Sequence, residues 1–228
     1  MPGDPREQLA EKYERQGWPA EPRPDLEPPP GWSIALATAI ARPRSHAPAP
    51  DGARLAFFWD RDDASELYAL PAPGGWPERL SFERDPKPYW FDDPPQWSPD
   101  GERLAFTDKG HVWVVPARGG LPQKVSDFAE GAGSPRWMPD GKGLLISVSR
   151  RKRSHILLTD RDGAWPRPVS LAGQDGHAQD PQASPDGRRV AYVYQPLDDL
   201  VRTDIMLADL PSGEVRALTG TPGRHDLS

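Results

Sequence analysis

An all-β fold, an incomplete β-propeller of about four four-stranded blades, is what this sequence predicts, and three observations predict it. A Pro-Asp-Gly corner recurs four times. An apolar triplet follows each corner at a fixed offset, and a second hairpin with its own turn follows each triplet. Four short strands in about 40–50 residues is the spacing of a propeller blade.

The corner reads "APDG" at 49–52, "SPDG" at 98–101, "MPDG" at 138–141 and "SPDG" at 184–187, and its Asp residues lie 49, 40 and 46 positions apart. Pro50, Pro99, Pro139 and Pro185 preset φ for the first corner of a type I turn. Asp51, Asp100, Asp140 and Asp186 tolerate the second corner and bond to nearby backbone. Gly52, Gly101, Gly141 and Gly187 then supply the positive φ that restores the strand twist. One such turn is a common hairpin. Four copies, each with the same sequel, are a repeat. These twelve turn residues are candidate structural positions.

The sequel is Leu55-Ala56-Phe57, Leu104-Ala105-Phe106, Leu144-Leu145-Ile146 and Val190-Ala191-Tyr192. Alternation along a strand puts the first and third residues of each triplet on one face and the second on the other. A bulky face and a tight face suit a strand packed between two neighbouring sheets. One strand earlier, "PQW" (95–97), "PRW" (135–137) and "PQA" (181–183) open three copies, whereas the first has "HAP". Trp97 and Trp137 are expected between blades as core rather than as a platform for a sugar or cofactor. The second modules are 66–82, 111–128, 155–171 and 204–220, each ending in an apolar residue and usually Ser or Thr. The blades are therefore expected at 33–83, 84–128, 129–172 and 173–220.

Before them, residues 1–32 read as a helix and a linker. Asp4 caps, Pro5 suits the first helical position, Leu9 and Tyr13 share a face, and Gly17 stops a helix over 4–16. The prolines of 18–31 favour an extended chain. The run 33–40 leans to strand. After Leu218-Thr219 only "GTPGRHDLS" remains, so 221–228 reads as the lead-in to a further blade, and the chain as the leading part of a longer protein.

Composition narrows function. The net charge is −6, which gives no general attraction to nucleic acid or anionic membrane. Cysteine is absent, so disulfides and thiolate metal sites are excluded. No basic start with an apolar core opens the chain and no apolar run reaches about 18 residues, so a cytoplasmic protein is expected. The chain has 30 Pro, 21 Gly and no Asn, and Arg far outnumbers Lys. That bias suits a thermophile and equally a GC-rich genome.

No catalytic, cofactor-binding or metal-binding residue is predicted. A G-x-S-x-G elbow is absent. His46, His111, His155, His177 and His225 lack metal-ligand spacing. The glycines of "GAGSPR" (131–136) precede a strand, not the helix a phosphate cradle needs. "RRKRSH", Arg150 to His155, is the densest positive patch and falls at the hairpin between the second and third strands of the third blade. It reads as a solvated loop, with an acidic partner as the sharper alternative. Asp60, Asp62, Asp63, Asp92 and Asp93 fall in predicted loops.

The pattern "P-x-W-S-P-D-G-x-x-L-A-F" followed by "x-V-W-V-V-P-A-x-G-G" resembles the TolB-type β-propeller repeat, over about residues 45–220. The translocation protein TolB uses this repeat, and so does the prolyl oligopeptidase family of serine peptidases, including dipeptidyl-aminopeptidases and acylaminoacyl-peptidases. The short segment before the first corner resembles the peptidases more closely. That resemblance implies the non-catalytic N-terminal propeller of a serine peptidase. It would gate and position short peptides for a separate C-terminal α/β-hydrolase domain. No triad residue carries over to these positions. The alternative is a free-standing TolB-like propeller that binds protein. A sugar-processing propeller lacks a visible acid pair.

Overall fold

The computed structural model describes residues 42–61, 64–72, 74–81, 93–170, 175–199 and 201–219. The expected helix over 4–16, the linker over 18–31 and the run over 33–40 lie outside them. All described residues belong to the second of two units, residues 40–228.

Among the described residues sixteen strands form four antiparallel sets, each in chain order. The first blade holds β1 (Arg42–Pro48), β2 (Arg54–Arg61), β3 (Ala64–Pro71) and β4 (Glu78–Arg79). The second holds β5 (Gln96–Trp97), β6 (Arg103–Asp108), β7 (His111–Pro116) and β8 (Gln123–Lys124). The third holds β9 (Ala132–Trp137), β10 (Gly143–Arg150), β11 (Arg153–Asp160) and β12 (Arg167–Pro168). The fourth holds β13 (Gly176–Ala183), β14 (Arg189–Pro196), β15 (Asp204–Asp209) and β16 (Val215–Ala217). A single parallel bridge, Ser154 opposite His177, links the third and fourth sets into one eight-stranded sheet.

The triplets set the stacking. Leu104 and Phe106 pack on Ala56, Phe58, Leu67 and Ala69 of the preceding blade. Ala105 turns the other way, towards Leu144 and Ile146 of the following blade. In the third blade Leu145 packs towards Val190 and Tyr192 of the fourth. In the second, third and fourth blades the first and third triplet residues thus meet the preceding blade, and in the first, second and third the middle residue meets the next. Each fully buried Leu, Val or Ile in these seams contributes about 1.5–3 kcal/mol. A hydrogen bond nets only about 0.5–1.5 kcal/mol, so apolar burial between blades, rather than the ladders, dominates the stacking.

Polar devices fix register within and between blades. The closing Ser or Thr of every blade accepts a hydrogen bond from the first inward-facing amide of the third strand: Leu67 to Ser81, Val112 to Ser126, Ile156 to Ser170 and Ile205 to Thr219, at 2.8, 2.7, 3.1 and 2.8 Å. The fourth strands are only two or three residues long, so this latch holds an edge that the ladder alone would leave frayed. Ser81 also donates to the buried Glu66 carboxylate at 2.6 Å. Between blades, the Trp97 indole donates to the Ala47 carbonyl at 2.9 Å and the Trp137 indole to the Gln96 carbonyl at 3.0 Å. The first strands of adjacent blades therefore lie side by side.

Those first strands share a bulge. Ser45, Ser134 and Asp180 occupy one repeat position at φ of 51°, 49° and 52°, and the register shifts there in the first, third and fourth blades. The second blade has Pro94 at this position. Proline cannot adopt positive φ, and β5 is correspondingly cut to Gln96–Trp97.

Candidate functional site

The four corners close as the residue types require. Gly52, Gly101, Gly141 and Gly187 donate to the carbonyls of Ala49, Ser98, Met138 and Ser184 at 2.8–2.9 Å, with φ of 67–70°. Each Asp carboxylate accepts from the amide two residues on: Asp51 from Ala53, Asp100 from Glu102, Asp140 from Lys142 and Asp186 from Arg188, at 2.9–3.0 Å. Pro50, Pro99 and Pro139 each stand beside the glycine of the next corner. A Cβ on Gly101 would lie 3.9 Å from Pro50, one on Gly141 3.7 Å from Pro99, and one on Gly187 3.8 Å from Pro139. Pro185 belongs to the fourth corner. Arg54 ties the first pair of blades, donating to the carbonyls of Gly101 (2.6 Å) and Ala117 (3.0 Å) and lying 4.8 Å above the Trp97 ring.

The corners differ in one respect. Ser98 and Ser184 donate to Asp100 and Asp186 at 2.5 and 2.6 Å, while Ala49 and Met138 hold the same place in the other two. The hydroxyl first, and the backbone amide second, hold the Asp100 and Asp186 carboxyls below their ordinary value. These aspartates are turn braces whose lone pairs are spent on their own loops.

In a four-stranded antiparallel blade the hairpin between the second and third strands lies at the end opposite the corners. There the structure forms a cleft of about 740 Å³. Its floor is Phe128, Val148, Leu157 and Pro168, and its lip carries Arg150, Arg151, Arg153 and Glu130. The crossover at Phe128–Glu130 forms one wall and the β10–β11 hairpin the other. Arg153 donates to Asp175. His155 lies at the base, where burial first, and the charges of Arg150 and Arg153 next, hold its pKa below the ordinary imidazole value. The hairpin over Arg150–Arg153 falls at the position anticipated for the positive cluster; Arg150, Arg151 and Lys152 are exposed, as a solvated loop requires, and the hairpin also borders a concave surface.

Along the first strands, Asp93 joins the second and third blades. It accepts from Ser134 at 2.5 Å and pairs with Arg136 at 3.6 Å. Asp60 pairs with Arg44 at 2.9 Å. Asp62, Asp63, Asp92 and His225 lie outside the described residues. The glycines of "GAGSPR" serve close approach between blades: Ala132 donates to the Gly110 carbonyl at 2.7 Å, a Cβ on Gly131 would lie 3.4 Å from the Gly110 oxygen, and one on Gly133 3.4 Å from the Thr107 side chain. Among the described residues no group of three His, Cys, Asp or Glu could hold a metal ion, and no helix is long and apolar enough to cross a membrane.

No protein-family model matches the chain. An uncharacterized peptidase, YuxL, of Bacillus subtilis is 26% identical over 204 residues, which is 82% of this chain and 28% of YuxL. The crystal structure of TolB from Acinetobacter baumannii superposes with a TM-score of 0.61 at 20% identity, covering 79% of this chain and 44% of that one. A prolyl endopeptidase structure gives a TM-score of 0.60 at 18% identity, covering 83% of this chain and 32% of that one. The blades are of the TolB type. TolB-type propellers thus relate this chain both to TolB proteins and to a peptidase family, and the chain spans roughly a quarter to a half of the first curated relatives' length.

Proposed function

We propose that these blades are the non-catalytic propeller portion of a serine peptidase, gating and positioning short peptides for a separate C-terminal α/β-hydrolase domain. The observation that carries the reading is the free flank of the fourth blade. Ile205 is 41% exposed and Leu218 50%, whereas their counterparts in the other blades, among them Leu67, Val112 and Ile156, are fully covered by the next blade. Such a flank suits continuation of the ring in a larger protein. The match to YuxL, 28% of which this chain covers, supports the peptidase reading. The same reading places the protein in the cytoplasm, with short peptides and the hydrolase domain as partners and neither nucleic acid nor membrane. It assigns no catalytic, metal or cofactor residue to these positions.

The likeness to TolB favours a second reading, a free-standing propeller that binds protein. Activity-based labelling of the full-length protein with a fluorophosphonate separates the two. The peptidase reading expects one labelled serine outside residues 1–228 and no peptide-anilide hydrolysis by the 228-residue chain alone. A full-length protein that takes up no label, and has no peptidase activity, supports the scaffold instead.

A further inference from the structure

We propose that the cleft beside the β10–β11 hairpin binds the free α-carboxylate end of a peptide whose last residues are apolar. Three observations on this chain support it, and the peptidase reading is needed only for the occupant's being a peptide.

The first is the composition of the cleft. Its floor is four apolar side chains, and its lip carries three guanidinium groups against one carboxylate, Glu130. Its volume of about 740 Å³ falls within the usual range for ligand sites, roughly 300–1,000 Å³. A guanidinium presents a planar fork that fits a carboxylate bidentately. An apolar residue that ends in a carboxylate uses both halves of the site, which neither a bare anion nor a neutral apolar group does.

The second is the availability of the cations. Arg153 is oriented by Asp175. The side chains of Arg150 and Arg151 have no ion-pair or hydrogen-bond partner among the described residues, and both residues are exposed. His155 below them is held towards its neutral form, so it adds an imidazole that can donate without adding charge.

The third is strain. Arg151 and Lys152 have φ of 51° and 61°, the left-handed pair of a two-residue hairpin turn that favours Asn-Gly. The equivalent hairpin of the second blade uses Lys109-Gly110, with φ of 49° and 75°. Arg151 matches Lys109, and Lys152 stands where the second blade has glycine. The third blade thus retains backbone strain in the turn that carries Arg151 to the cleft.

The test is calorimetric titration of the full-length protein with N-acetyl-Ala-Leu as the free acid, its C-terminal amide, and inorganic phosphate. Binding is read directly, so the result does not depend on hydrolysis and stands apart from the peptidase test. The free acid should bind at least about tenfold more tightly than the amide or phosphate, and more weakly as salt rises. Arg151→Asn should cut that affinity about tenfold. Arg151→Asn combined with Lys152→Gly should do the same while raising Tm by about 2–4 °C, a combination that mere damage to the fold would not produce. Arg150→Gln, away from the strained pair, should also weaken the acid. Equal affinity for acid and amide, phosphate binding as tight as the acid, or unchanged affinity in both Arg151→Asn and Arg150→Gln would overturn the proposal.

Discussion

The second and fourth blades carry the same pattern in different surroundings. In the second, Val112, Val114 and Val125 are buried against the third blade. In the fourth, Ile205, Leu207 and Leu218 hold the same repeat positions, and Ile205 and Leu218 stand open. The fourth blade is nonetheless complete as a sheet, with all four strands paired and its Thr219 latch closed. A blade's internal ladder is therefore specified locally, while its apolar flank is specified for a neighbour. The bulky-to-preceding, small-to-following arrangement of Leu104, Ala105 and Phe106 makes that neighbour directional.

The comparison breaks most visibly if a charge is put on each flank. Val112→Asp buries an unpaired carboxylate and should cost more than about 4 kcal/mol, enough to abolish cooperative unfolding. In the 228-residue chain Ile205→Asp should cost under about 1 kcal/mol in the same denaturation assay, because water solvates the new group. Similar losses at both sites would mean that the fourth blade's flank is covered.

A second pair concerns backbone contact. Gly163, at φ 86°, turns against the second blade so closely that a Cβ would collide with the Val125 carbonyl, whereas Gly213, at φ 73°, has open space. Gly163→Ala should cost about 2–4 kcal/mol, combining the left-handed penalty with overpacking. Gly213→Ala should cost about 1 kcal/mol, the conformational part alone. Midpoints of urea unfolding measure the difference.

The latch sharpens the comparison further. Ser126→Ala leaves the Val112 amide buried without a partner and should cost about 1–3 kcal/mol. Thr219→Ala exposes the Ile205 amide to water, and its loss should stay near 0.5 kcal/mol.

The smallest expected effect lies in the corners. Removing the hydroxyl in Ser98→Ala or Ser184→Ala should give a small loss of stability at pH 7, reduced by solvent screening of these exposed turns. In the folded protein Asp100 and Asp186 sit below the ordinary carboxylate value, so the unfolded chain binds more protons and stability rises with pH across that interval. The contribution is present above about pH 4 and is lost as pH falls through the folded values. The difference between parent and variant should therefore shrink in acid melts. Corners one and three, which have Ala49 and Met138 in place of the serine, serve as internal controls.

The sequence made the corners, the triplets and the two-faced packing legible because these are local: a turn needs Pro, Asp and Gly in order, and a strand alternates by geometry. The closing Ser or Thr was visible as a recurrence, but its role as a latch depends on the third strand's amide lying opposite, which only the paired sheet supplies. Pro94 carried a readable signal, since proline cannot take the bulge that Ser45, Ser134 and Asp180 adopt. Arg54 gave none: its reach to Gly101 and Ala117 crosses a seam between blades. The cleft was half legible. The cationic cluster could be placed at a hairpin, but its apolar floor joins Phe128 to Val148 and Leu157, residues that meet only when two blades stack.

Amide hydrogen exchange at Val112 and Ile205 tests the central claim most directly. Both amides donate to a hydroxyl, at 2.7 and 2.8 Å, and they differ in whether another blade covers them. In the 228-residue chain Val112 should exchange only through global unfolding, with Ile205 faster by at least about a hundredfold. Equal protection at the two amides would contradict the account.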